Sequence, residues 1–183
     1  QYALVDERDG DIVAVGHSIP LAWRGMPSSL PAKGWDWAIA DGMQTGDGAR
    51  DILCALAILV LPEHQRKGIG RVMVEAMRVI GRRHGHDRLV VPLRPTLKSQ
   101  YPLTPMERYV RWQDEDGLPF DPWLRLHVRA GGTVVGACTE SYAVAGTVRQ
   151  WEEWTGMRFP ESGRYVVPGA LSPVDVDTNT DRA

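Results

Sequence analysis

The chain has 183 residues, of which 43% are hydrophobic and 24% charged, with a formal net charge of -2. That is enough material for one domain with a proper core over residues 1–183 and too little for a second independent one. The near-neutral balance gives no electrostatic footprint for nucleic acid, and the longest apolar run, Ile52 to Leu61, is too short to span a bilayer.

Two apolar runs, Tyr2 to Val5 and Ile12 to Gly16, flank the polar stretch Asp6 to Asp11 and predict a hairpin. Residues 24–50 are rich in Gly, Pro, Ser and Asp and predict a long loop, anchored by the aromatic segment Trp35 to Ile39. Trp23, Trp35 and Trp37 either line a substrate pocket or pin this loop to the core. The run from Cys54 to Leu61 then predicts a strand buried on both faces, ended by Pro62, which has no N–H to give to a ladder. Beyond a short polar turn bearing Gly68 and Gly70, the spacing of Ile69, Val72, Met73, Ala76, Met77 and Ile80 predicts one stripe of a helix. A strand, a glycine turn and a helix start together aim backbone N–H groups at one spot, which attracts anions. Arg66, Lys67, Arg71, Arg78, Arg82 and Arg83 stand against the single acid Glu75 in this region, an excess that suits phosphate and equally suits a solvated basic face.

Gln65-Arg66-Lys67-Gly68-Ile69-Gly70, between that strand and that helix, resembles the Gln/Arg-x-x-Gly-x-Gly/Ala signature of the GNAT family of N-acetyltransferases. The resemblance implies an α/β fold: a central mixed sheet with two splayed parallel strands, flanked by helices. It implies that the turn Gln65, Arg66, Lys67, Gly68, Ile69 and Gly70 holds the pyrophosphate of acetyl-CoA or another acyl-CoA. The strand backbone at Leu59, Val60 and Leu61 would pair with the pantetheine arm, with a backbone N–H near Val60 or Leu61 polarising the thioester carbonyl. Family members usually carry one strand and two helices ahead of the first hairpin, so N-terminal elements are expected to be missing here. The bland alternative is that the two glycines only make a tight turn.

Arg88 to Pro95 predicts the next strand, disrupted near Pro92, which supplies a physical reason for the family's splay. Thr104, Pro105 and Glu107 open a helix expected to run to about Gln113, and Asp121-Pro122-Trp123 opens a second one running to Gly131. The resembled family places a tyrosine near the coenzyme A sulfur four residues before that closing glycine; here the position is His127. With an unperturbed pKa near 6.5, His127 either protonates the leaving thiolate or simply bonds to backbone or phosphate. The stretches Thr133 to Cys138 and Ser141 to Ala145 predict strands, Gly146 to Trp154 a short helix, Gly163 to Leu171 a last strand, and 175–183 a disordered tail.

Cys54 and Cys138 are expected as free buried thiols, and the five histidines form no ligand pattern, so no metal is expected. No charged-then-apolar leader opens the sequence, which points to a cytoplasmic protein. The function expected is N-acyl transfer from coenzyme A to an amine, of a small molecule or a protein, with no nucleic-acid or membrane partner and a possible homodimer. Glu140, Asp36, Glu152, Glu153 or a water-mediated route could supply the base. Two alternatives are a non-catalytic acyl-CoA-binding module and a thioester-hydrolysing or decarboxylating use of the same cleft.

Overall fold

The computed structural model describes residues 1–44 and 50–183. In chain order they form β1 (Tyr2–Val5), β2 (Ile12–Leu21), α1 (Gly34–Gly42), β3 (Ile52–Val60), α2 (Ile69–Arg83), β4 (Arg88–Val90), α3 (Met106–Tyr109), α4 (Pro122–Arg129), α5 (Val148–Thr155), β5 (Gly163–Tyr165) and β6 (Val174–Val176). The chain divides into two compact units: residues 1–94 with 126–142, and residues 95–125 with 143–183.

The first unit is built on a sheet of order β1-β2-β3-β4, antiparallel through β3 and parallel between β3 and β4. The hairpin falls as predicted, but β2 runs on through Pro20 to Leu21. Proline is tolerated there because β1 reaches no further than Gly16, so that flank of β2 has no ladder to feed. A Cβ on Gly16 would lie 2.2 Å from the Tyr2 ring, whose hydroxyl donates to the Met73 carbonyl at 2.6 Å and so ties β1 to α2.

Helices cover both faces of β3. Ile52 and Cys54 pack with Leu21 and Ala38 of α1, while Leu53 and Ala55 pack with Met77 of α2. The α1 segment was expected as loop; it is a nine-residue helix, too short to stand alone and held by burial of Gly34 and Ala38 against the sheet. On α2 the buried positions are Met73, Val74, Met77 and Gly81, and Val72, placed in the core by periodicity, is 53% exposed. Burying side chains of this size is worth roughly 1.5–3 kcal/mol each, so the stripe that wins is the one the sheet can cover.

Residues 133–145, expected as two strands, form none. Their polar groups go instead to the start of α1: the Glu140 N–H donates to the Ala32 carbonyl (3.1 Å) and the Ser141 hydroxyl accepts from the Trp35 N–H (3.0 Å). Backbone donors and acceptors satisfied this way have no need of a ladder. Cys138, expected buried, is exposed, whereas Cys54 is buried and its thiol is pushed up to about 12, chiefly by that burial. Both cysteines are free.

The second unit is organised around a buried carboxylate. Asp121 caps α4 by accepting from the Trp123 N–H (3.0 Å) and also accepts from the Leu97 N–H (2.8 Å) and the Tyr109 hydroxyl (2.9 Å). Burial raises its pKa, and the donors at Leu97, Tyr109 and Leu124 more than offset that, leaving it below the usual carboxylate range. Lys98, also buried, donates to the carbonyls of Tyr101 and Leu171, with its ammonium 5.8 Å from the Tyr109 ring centre. Tyr101, Tyr109, Trp112 and Phe120 pack edge to face and tilted around it.

The helix expected to reach Gln113 stops at Tyr109. The Phe120 N–H returns to the Trp112 carbonyl at 2.8 Å, so the chain doubles back over the aromatic cluster. The helix predicted at 146–154 is α5, with a reciprocal cap between Thr147 and Gln150. The last predicted strand is reduced to β5, because it pairs with β6, which lies in what was expected to be the disordered tail. Residues 175–183 are ordered: Val176 is buried with Phe159 and Val167, and the Ala183 carbonyl accepts from the Trp151 indole at 3.0 Å. No helix among the described residues is long and apolar enough to cross a membrane, and no group of His, Cys, Asp and Glu among them could hold a metal ion.

Candidate active site

β3 and β4 pair only from Ile52↔Arg88 to Cys54↔Val90. β4 ends there, immediately before Val91-Pro92, while β3 continues for six more residues to Val60. A proline cannot donate to the ladder, and the parallel partner is lost at the position where the sequence predicted disruption. The result is an open edge on β3 leading to the glycine turn.

Which groups line that edge follows from the register. Ala14 faces Val60 and the Leu61 N–H donates to the Val13 carbonyl at 3.0 Å, so Ala14 and Val60 form a non-hydrogen-bonded pair. By the alternation of an antiparallel ladder, Ile58 and Val60 turn their N–H and C=O away from β2, toward the open edge, and Leu59 turns its own into the ladder. Of the two amides expected near the thioester carbonyl, that of Leu61 is engaged with β2 and that of Val60 faces the edge. Ile58 was missed by sequence reading, because alternation cannot be phased before the pairing is known. The strand is also less buried than expected here: Leu59 is 55% exposed and Leu61 43%.

The phasing is shifted by a bulge. His17 faces Ala57 but Ser18 faces Ala55, so Leu56 is an extra residue in β3. Its carbonyl accepts from the Trp35 indole N–H at 3.3 Å. Trp35 in turn meets the Tyr142 ring at 5.6 Å and 74°, and the Tyr142 N–H donates to the Asp36 carboxylate at 2.6 Å. Trp23 and Trp37 pack against the same core cluster as Leu56 and so pin the loop, and Trp35 is the one whose indole N–H bonds the bulge.

At the end of β3, the Gln65 side-chain amide donates to the Val60 carbonyl at 3.1 Å, locking the turn onto the strand. Arg66 sits at φ +61 and Gly68 at φ +79, both in the left-handed region. Such a conformation is uncommon for arginine and marks a shape imposed by the surroundings. Gly68 is the N-cap of α2, and the Arg71 and Val72 N–H groups already bond to its carbonyl. The N–H groups of Ile69 and Gly70 fall outside the intrahelical ladder and point out of the helix start. A Cβ built on Gly68 meets nothing within 4 Å, so the space over the turn is open. With Arg66, Lys67 and Arg71 exposed around it, this turn fits a pyrophosphate.

His127 lies elsewhere in the same unit, half-buried near the end of α4, its carbonyl accepting from the Gly132 N–H at 2.9 Å. The described contact that fixes this helix end joins the Arg78 guanidinium to the Ala130 carbonyl (3.1 Å). Arg78 is about 15 Å along α2 from Gly68 at 1.5 Å per residue, so His127 is not placed at the turn itself. Among the acids considered as bases, Glu152 pairs with Arg158 (2.9 Å) and Glu153 with Arg149 (3.0 Å), both in the second unit. Asp36 and Glu140 both lie in the first unit, and the Asp36 carboxylate accepts from the Tyr142 N–H beside Trp35.

Residues 1–101 match the model of the acetyltransferase (GNAT) family. Over 94% of its length the chain is 31% identical to the arginine N-acetyltransferase avaD of Aspergillus versicolor, of which it spans 67%. The loading GNATL domain of CurA from Lyngbya majuscula has a similar fold, with a TM-score of 0.55 and 24% identity over 71% of this chain. The chain spans 62% of that structure, under two thirds of its length. A mixed sheet split beside a glycine turn, a family match over more than half the sequence and a curated relative along nearly all of it lead to one conclusion: the chain belongs to the GNAT family of acetyltransferases.

Proposed function

We propose that this chain transfers an acetyl group from acetyl-CoA to an amine of a small cationic molecule, arginine being the first acceptor to try. The observation that carries the reading is the open edge of β3, which runs from the last pair with β4 at Cys54 to the turn at Gln65–Gly70. The arginine acetyltransferase relative supports the acceptor class.

In this reading the Ile69 and Gly70 N–H groups and the surrounding cations bind the pyrophosphate, and the outward N–H groups of Ile58 and Val60, with the Ile58 C=O, orient the pantetheine arm. Acetyl-CoA brings the thioester. The amine nitrogen attacks its carbonyl carbon, the C–S bond breaks, and the departing thiolate takes up a proton while the new amide loses one. The enzyme's part is placement and a fixed N–H donor for the developing oxyanion. His127 is the candidate for protonating the thiolate; a site carboxylate or water would accept the amine proton.

Isothermal titration with acetyl-CoA, free CoA and longer acyl-CoAs, followed by thiol release with and without arginine, tests the proposal. Saturable acetyl-CoA binding and amine-dependent thiol release are expected. Release without amine would favour thioester hydrolysis, and binding without release would favour an acyl-CoA-binding module.

A further inference from the structure

The first unit holds a second polar constellation, separate from the phosphate turn, at the bulge of β3. We infer that Trp35 and Tyr142, backed by the Asp36 carboxylate, form the subsite that recognises the positive charge of the acceptor; this rests on the acyl-transfer reading above.

Four observations meet there. Leu56, the bulged residue, lies just past the last β3–β4 pair, where the splay begins, so an acyl group threaded along the open edge from the turn ends near it. The Trp35 indole is fixed on the Leu56 carbonyl, which holds one ring against the strand at this point. Tyr142 stands across it at 74°, so the two rings make a two-walled corner, and Tyr142 is 65% exposed. Its backbone is held at φ +59, a conformation rare for tyrosine, with its N–H on Asp36. An aromatic ring presented to solvent at the cost of left-handed backbone, beside a carboxylate, is the arrangement that attracts a guanidinium or ammonium.

The charge distribution divides accordingly. Arg66, Lys67 and Arg71 surround the turn, whereas Asp36 and the exposed Glu140 flank the aromatic corner, with Lys33 the nearest cation in sequence. An anionic donor and a cationic acceptor would thus be drawn to opposite ends of the same open edge.

The test is steady-state acetylation of arginine and of citrulline, its neutral isostere, by the wild-type chain and by Tyr142→Ala and Tyr142→Phe. Tyr142→Ala should raise the KM for arginine about tenfold, within the range of an exposed to part-buried cation–π contact, with the acetyl-CoA KM unchanged. It should also narrow the preference for arginine over citrulline, while Tyr142→Phe, which keeps the ring, retains both. An unchanged arginine KM in a folded Tyr142→Ala chain overturns the subsite and leaves the acyl-transfer reading standing. A wild-type chain that acetylates no cationic amine overturns both.

Discussion

The two units spend their polar groups in opposite ways. In the second, Asp121 accepts from backbone N–H groups and from Tyr109, and the Lys98 ammonium is met by two carbonyls and an aromatic face. In the first, outward groups of Ile58 and Val60 lie on an edge that β4 has abandoned, and the amides of Ile69 and Gly70 lead out of a helix start. Satisfied polar groups under cover make a structure specific and stable; those left facing an open edge are available to a ligand. Of the three non-glycine residues at positive φ among the described residues, Arg66 and Tyr142 fall in the first unit, where binding is proposed, and Asp181 in the second.

The largest way to break this contrast is to remove the hub. Asp121→Ala leaves several buried donors without an acceptor, and at about 1–3 kcal/mol each the loss should be at least about 3 kcal/mol, read by denaturant unfolding. The same carboxyl gives a pH test. Its folded pKa is depressed, so its contribution is fully present above the ordinary carboxylate value, near 4, and is lost as the pH falls through the lower folded value. Acid unfolding should therefore be less steep in Asp121→Asn than in the wild type.

His127→Gln should lower kcat about a hundredfold, with the acetyl-CoA KM little changed, if the imidazole protonates the thiolate. An unchanged rate would leave His127 as a helix-end residue. Gly68→Val should weaken acetyl-CoA binding at least tenfold by filling the space over the turn. Because the site is at φ +79, it should also cost about 1–2 kcal/mol of stability, so Gly68→Ala, which shares the strain but adds less bulk, is the control. The smallest effect is expected from Trp35→Phe, which deletes the donor to Leu56 and should cost about 1 kcal/mol, a fall in Tm of about 2–4 °C.

Local signals were legible in sequence where one residue enforces a geometry: Pro92 for the end of β4, Gly68 for the left-handed turn, Asp121 for the start of α4, Thr147 with Gln150 for α5. What escaped depends on partners distant in the chain. The segment 133–145 alternates well enough for strands, yet Ser141 and Glu140 find their bonds at α1. The Trp35 helix is flanked by loop composition, and the tail after Val174 is ordered by β5 and Trp151 rather than by its own propensity. The glycine turn could be read from six consecutive residues; the aromatic corner could not, because Trp35 and Tyr142 are brought together only by folding.

The extra residue at Leu56 carries one more consequence. Before it, Leu53 and Ala55 look toward α2; after it, Ile58 does, so odd positions hand over to even ones in mid-strand. The strand thus has two independent phases, one tuned to the hydrophobic interior and one to whatever lies along the edge. Deleting Leu56 would leave Ala55 and Ala57 as consecutive partners of Ser18 and His17 and restore a regular ladder: Ile58 and Val60 would keep their outward amides, and the loss would fall on the carbonyl that now receives the Trp35 indole.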